Sequence, residues 1–195
     1  MTGRTKSAIT TLTITTERAG CDMNKNIYLF WTGDNPLTEN RTIAIASIKK
    51  CISTCNIILI NKNNLNEYIL DDYPLHPGYQ YLSCNHKSDY LRSYFMNFYG
   101  GGYLDIKHVT MDNNWYECFC KIERNKHIEI IGAKEEDSFD FTDDKILLTN
   151  IGFICRAHSE FTEKWYKRVQ IKMDERYNDL KKYPAIDVFG QNGNY

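Results

Sequence analysis

An aspartate that closes a short apolar strand is a group that can do chemistry, and Asp105 stands in that position at the end of Tyr103-Leu104-Asp105. Lys107 follows it by two residues, and Asp89 and Arg92 precede it across the run Gly100-Gly101-Gly102. Hard carboxylate oxygens suit Mg or Mn ions, which bridge phosphate oxygens and stabilise a phosphate leaving group. In open α/β sheets the ligand crevice lies beyond the carboxyl ends of the strands, so an acid placed there serves a ligand and not the core. Asp89 and Arg92 are one helical turn apart, and as a plain surface pair they would stabilise by only ~0.2–0.5 kcal/mol. Trp31, closing the run Ile27-Tyr28-Leu29-Phe30-Trp31, suits either the core or a flat platform for a base.

These residues need elements to place them. Residues 27–31 read as a buried strand that ends in the turn Thr32-Gly33-Asp34-Asn35-Pro36. A helix follows over 39–53, with Ile43, Ala46, Ile48 and Ile52 near one side, and then a strand over 56–60. A second helix, about 86–99, carries Tyr90, Leu91, Tyr94, Phe95 and Phe98 on one face and Asp89 and Arg92 on another. Three glycines stop it, and a strand is expected over 103–106. Further strands are expected at 128–132 and 146–149, separated by an acid-rich, solvated loop over 135–144. An amphipathic helix over 158–178 holds Phe161, Trp165, Val169 and Met173. Alternation of short strands with helices predicts an α/β fold, a Rossmann-like mixed central sheet flanked by helices. No G-x-G-x-x-G follows the first strand, which argues against dinucleotide binding.

With 195 residues, 42% hydrophobic and 13% aromatic, the chain can bury one substantial core. Lys and Arg total 24 against 25 Asp and Glu, so the net charge of -1 offers no general attraction to nucleic acid. An anionic ligand must be held locally. Seven cysteines without repeated spacing fit free thiols in a reducing compartment. Cys118-x-Cys120, near His108 and His127, has poor spacing for zinc. No apolar run approaches the ~18–20 residues that span a bilayer, and residues 1–22 lack the apolar stretch of a secretory signal. The expectation is a flexible extension over 1–22, a catalytic domain over 23–195, and a cytoplasmic location. One domain of a longer protein is a further expectation.

Taken in order, Ser88-Asp89-x-x-Arg92 and Tyr99-Gly100-Gly101-Gly102-Tyr103-Leu104-Asp105-Ile106-Lys107 resemble the S-D-x-x-R … Y-G-G-x-Y-L-D-x-D block of GT-A glycosyltransferases. That block is shared by capsular-polysaccharide transferases, yeast outer-chain mannosyltransferases, clostridial glucosylating toxins and a glycosyltransferase domain of large chlorella-virus proteins. Phe30-Trp31-Thr32-Gly33 is similar to the family's first strand, so the likeness spans most of 26–155. The resemblance implies a GT-A fold and transfer of a hexose or deoxyhexose from a UDP-sugar to a hydroxyl of a glycan or glycoprotein, with retention. It also implies the cytoplasm, the host's if the protein is viral.

The same resemblance assigns roles. Trp31 would stack on uracil, and Gly33, Gly101, Gly102 and Tyr103 would belong to the donor-binding set. Asp89 and Arg92 would contact sugar and ribose hydroxyls, with Arg92 also near the phosphates. Asp105 would bind a Mn or Mg ion and the ribose, and Asn150 would stand beside the transferred sugar. Lys107 departs from the pattern, because it replaces the second aspartate of the Asp-x-Asp pair. Either Lys107 neutralises the diphosphate itself, or Asp112 or Asp187 supplies the missing oxygen. Two other readings stay open: a nucleotide-sugar-binding protein without transfer, and another Rossmann-like enzyme such as a nucleotidyltransferase.

Overall fold

Four consecutive core residues, Ile27 to Phe30, make the first strand a central one with both faces covered. The computed structural model describes residues 24–110, 112, 114–134 and 148–185. In chain order it contains β1 (Asn26–Trp31), α1 (Glu39–Cys51), β2 (Asn56–Asn61), two short 3-10 turns (Leu65–Tyr68 and Pro77–Tyr81), α2 (Cys84–Phe98), β3 (Gly101–Leu104), α3 (Trp115–Arg124), β4 (Ile130–Lys134), β5 (Leu148–Cys155) and α4 (Glu160–Lys182). The extension over 1–22, the acid-rich loop over 135–144 and Asp187 lie outside the described residues.

The strands form one mixed sheet in the order β2-β1-β3-β5-β4. β1 runs parallel to β2 and β3, and β5 runs antiparallel to both β3 and β4. The α/β sheet with flanking helices agrees with a Rossmann-like GT-A fold. Because successive strand side chains point to opposite faces, β1 feeds two cores. Ile27 and Leu29 pack with Ala44, Ile45 and Ile48 of α1 and with Phe119 and Ile122 of α3. Tyr28 and Phe30 pack with Tyr90, Leu91, Tyr94 and Phe95 of α2, and with Tyr103 and Phe153. No helix among the described residues is long and apolar enough to cross a membrane.

Helix ends follow local chemistry. Thr38, Ser83 and Ser159 cap α1, α2 and α4 with side-chain oxygens that accept from the first turn, and Ser159 with Thr162 makes a capping box. Three departures from expectation stand out. First, α3 has no counterpart in the sequence reading; Trp115, Phe119 and Ile122 repeat at i, i+4, i+7 and bury its inner face. Second, β5 runs on to Cys155, because Phe153, Ile154 and Cys155 are buried between β3 and β4. Third, β3 begins at Gly101, two residues early, so the glycines belong to the strand and its start.

That third point has a steric cause. Gly101 has φ +88°, and a Cβ there would meet the Asn26 carbonyl oxygen at 2.7 Å. A Cβ at Gly102 would lie 2.9 Å from the Trp115 ring. Gly101→Ala should therefore lose at least ~1–2 kcal/mol from the left-handed backbone alone, visible as a Tm lower by roughly 4 °C or more.

Tyr79, Tyr103 and Tyr166 supply a second prediction, since burial pushes each hydroxyl up to about 12 from an ordinary 10.0. The folded chain holds these protons more tightly than the unfolded one, so the associated stability is intact below pH 10 and is lost as pH rises from 10 toward 12. Urea midpoints should hold steady up to pH 8, begin to fall near pH 9, where the thiols of Cys55, Cys118 and Cys155 also resist ionisation, and fall steeply above pH 10.

Candidate functional site

A charged side chain stays buried only if its charge is met on all sides, and Arg92 is 8% exposed. Its guanidinium pairs with Asp89, one turn back on α2, and Nη1 donates to the carbonyl oxygen of Asn150 on β5 at 2.8 Å. The same group lies over the Tyr103 ring at 4.8 Å. Arg92 thus joins α2, β3 and β5, which is more than a surface ion pair on one helix. Only its Nε is buried with no partner among the described residues. Asp89 is about half exposed and presents the open side of the pair.

Tyr103 is the next link. Its ring stacks on Phe30 at 5.5 Å and 19°, and its hydroxyl donates to Oδ1 of Asp105 at 2.5 Å. Ser88 Oγ lies 3.3 Å from the same hydroxyl. Burial raises the Tyr103 pKa to about 12, with Arg92 opposing the rise and Asp105 adding to it. At neutral pH the phenol is therefore a fixed, neutral donor that orients Asp105.

The chain then turns sharply. Asp105 N–H donates to the Ile151 carbonyl at 2.8 Å, prolonging the β3/β5 ladder, and Lys107 N–H donates back to the Asp105 carbonyl at 2.8 Å. This three-residue turn folds the lysine side chain over the aspartate, so Lys107 Nζ lies 3.1 Å from Asp105 Oδ2. Asp105 is 29% exposed and Lys107 54%, at the carboxyl edge of β3 and β1.

The donor set does not fit a protein-held Mn or Mg ion. Such ions want several hard oxygens, whereas Asp105 offers one carboxylate whose oxygens already face a phenol and an ammonium. Among the described residues no three His, Cys, Asp or Glu side chains come together as ligands. Asp112 lies near Cys55 and Cys118, beside the start of β2 and α3. Cys118 and Cys120, two apart on α3, point about 200° apart around the helix and cannot share one ion.

Trp31 packs half-buried against the α1 side of the core, and its Nε1–H donates to the Asn35 carbonyl at 2.9 Å, holding the β1–α1 loop. Gly33 lies on that loop where a Cβ would come within 2.5 Å of Cys84 Sγ, so it lets the loop press on the start of α2. Gly101 and Gly102 stand apart from the other candidate residues. They sit at the amino-terminal end of β3, roughly 10–13 Å along the strand from Asp105, and are buried against Asn26 and Trp115. Their lack of a side chain lets Asn26 and the Trp115 ring pack against the strand. Asn150 is brought to the cluster through its carbonyl oxygen, while the residue itself is exposed.

The structure therefore brings together Asp89, Arg92, Tyr103, Asp105, Lys107 and the Asn150 backbone, with Trp31 at the end of β1 and Gly33 on the loop that follows it. The sequence reading missed Arg41, whose Nη1 donates to the Ile106 carbonyl between Asp105 and Lys107. Its position on α1 carries no local signal, since a charge on a helix face reads as solvated surface.

A search of curated proteins finds no match. A family model described as capsular polysaccharide synthesis protein matches residues 2–124, more than half of the chain. The matched span takes in β1, α1, β2, α2, β3 and α3, and with them the whole segment from Ser88 to Lys107. The chain belongs to the capsular polysaccharide synthesis protein family, whose role is glycosyltransferase-like.

Proposed function

We propose that this protein transfers a hexose or deoxyhexose from a UDP-sugar to a hydroxyl of a glycan or glycoprotein, in the cytoplasm and with retention at the anomeric carbon. One observation carries the reading: an acid, a phenol and a lysine in contact at the carboxyl edge of the sheet, backed by the Asp89–Arg92 pair. Ligands of open α/β sheets bind in that crevice. Trp31 stacks on the base, Asp105 and Asp89 accept from ribose and sugar hydroxyls, and Lys107 meets the diphosphate charge. The exposed Asn150 side chain stands beside the transferred sugar. In a front-face reaction the leaving phosphate oxygen takes the acceptor's proton, so the protein supplies mainly positioning and charge stabilisation.

The Asp105–Lys107 ion pair also favours a second reading, a donor-binding protein in which the closed pair has ended transfer. Slow release of free sugar from a UDP-sugar separates the two, since only a working site hydrolyses its donor. Asp105→Asn keeps an acceptor for the Tyr103 hydroxyl while removing the charge, so the fold should stand with Tm within about 2 °C and turnover should fall by ~100-fold or more. Full activity in that variant ends the proposal. For Trp31→Ala, loss of a stacking platform worth ~1–3 kcal/mol per base predicts UDP affinity weakened by roughly 5-fold to 150-fold in calorimetry. Unchanged affinity would make Trp31 a core residue only.

A further inference from the structure

Arg41 sits half-buried in the first turns of α1, with its guanidinium held by the carbonyl of the residue between Asp105 and Lys107. Farther along α1, Ser47 Oγ accepts from the Val109 N–H at 3.1 Å, and Cys51 Sγ lies 3.3 Å from the Val109 carbonyl. The segment from Ile106 to Val109 is thus tied to α1 at both ends, with Lys107 between the ties. Lys107 and Arg41 are therefore fixed on neighbouring atoms of one turn.

The charges at this edge do not balance. Asp89 is matched by Arg92 and Asp105 by Lys107, while among the described residues no carboxylate lies within ion-pair distance of Arg41. One Arg41 bond goes to a carbonyl, and a guanidinium has five N–H donors in a fork that suits phosphate. Where a cation would need a second carboxylate, the chain places a lysine and, bonded to the preceding residue's carbonyl, the arginine of α1.

We propose that this site binds the diphosphate of a nucleoside diphosphate without a divalent cation, its charge met by Lys107 and Arg41. The inference rests on the nucleotide-sugar reading and specifies how that donor is held. On binding, Lys107 exchanges the Asp105 carboxylate for a phosphate oxygen, Arg41 donates to a second, and Asp105 is released to accept from a hydroxyl.

Calorimetry with UDP and uridine on the full chain tests this, in EDTA and in excess MnCl2. The expected result is a UDP affinity equal within twofold in the two buffers. Arg41→Gln and Lys107→Ala should each weaken UDP binding by tenfold or more while leaving uridine affinity unchanged, and Arg41→Lys should recover part of the loss. Selective loss for UDP over uridine separates phosphate contact from a general disturbance of the 106–109 segment. Lys107→Ala, at a half-exposed position, keeps the test valid should Arg41→Gln unfold. UDP affinity that falls tenfold in EDTA, or variants that bind UDP as the parent does, would overturn this inference and leave the donor assignment standing. Absence of binding by UDP and GDP in both buffers would overturn both.

Discussion

The candidate site depends on a buried guanidinium. An arginine taken out of water carries a desolvation cost of several kcal/mol unless the surrounding groups replace its hydration, and removing one partner of such a group is far more damaging than forming the pair is helpful. Arg92 meets that condition with a carboxylate from its own helix, a carbonyl from β5 and an aromatic face from β3. Three elements distant in sequence are therefore obliged to stay in register. Asp89 is held on its outer side, and Tyr103 cannot tilt without uncovering the charge. Through the Tyr103 hydroxyl the same constraint reaches Asp105.

Lys107 changes the electrostatics of what that frame presents. Two carboxylates at a strand end make a negative mouth that attracts a cation first and a phosphate through it. An aspartate neutralised by a lysine at 3.1 Å makes a nearly neutral mouth, and the nearby Arg41 tips it positive. Partial exposure keeps the Asp105–Lys107 attraction modest, which suits a pair that must open for a ligand. The short turn from Asp105 to Lys107 folds the lysine back over the carboxylate at the strand's end.

Much of this was legible in the sequence where one physical cause dominates locally. The apolar run from Ile27 to Phe30 could only be a buried strand, and α2 was bounded by glycines that refuse a helix. The order of Asp89, Arg92, Tyr103 and Asp105 indicated one site, and the structure does put them in contact. What failed depended on distant partners. α3 hid because its amphipathic period is short and becomes decisive only once Gly102 gives the Trp115 ring a place to rest. β5 looked short because Asn150, Ile151 and Gly152 carry no β pattern, yet Gly152 pairs with Leu104 of β3 and the Ile151 carbonyl accepts from Asp105 N–H. Arg41 was invisible, since its role comes from a contact spanning 65 residues.

The glycine run deserves a different explanation from the one its place in the block suggests. Gly100 and Gly101, with φ +61° and +88°, let the chain leave α2 and enter the sheet within two residues. Gly102 then admits the Trp115 ring against the strand, so β3 lies close to α3 as well as between β1 and β5. A strand placed this tightly has one register, Ile27 opposite Gly102 and Tyr28 opposite Tyr103, and that register decides where its last residue emerges. One residue of slip would turn Tyr103 and Asp105 to the α1 face, away from Ser88 and Arg92. The glycines therefore act on the site from the far end of the strand, by fixing the side and the height at which Asp105 meets the crevice.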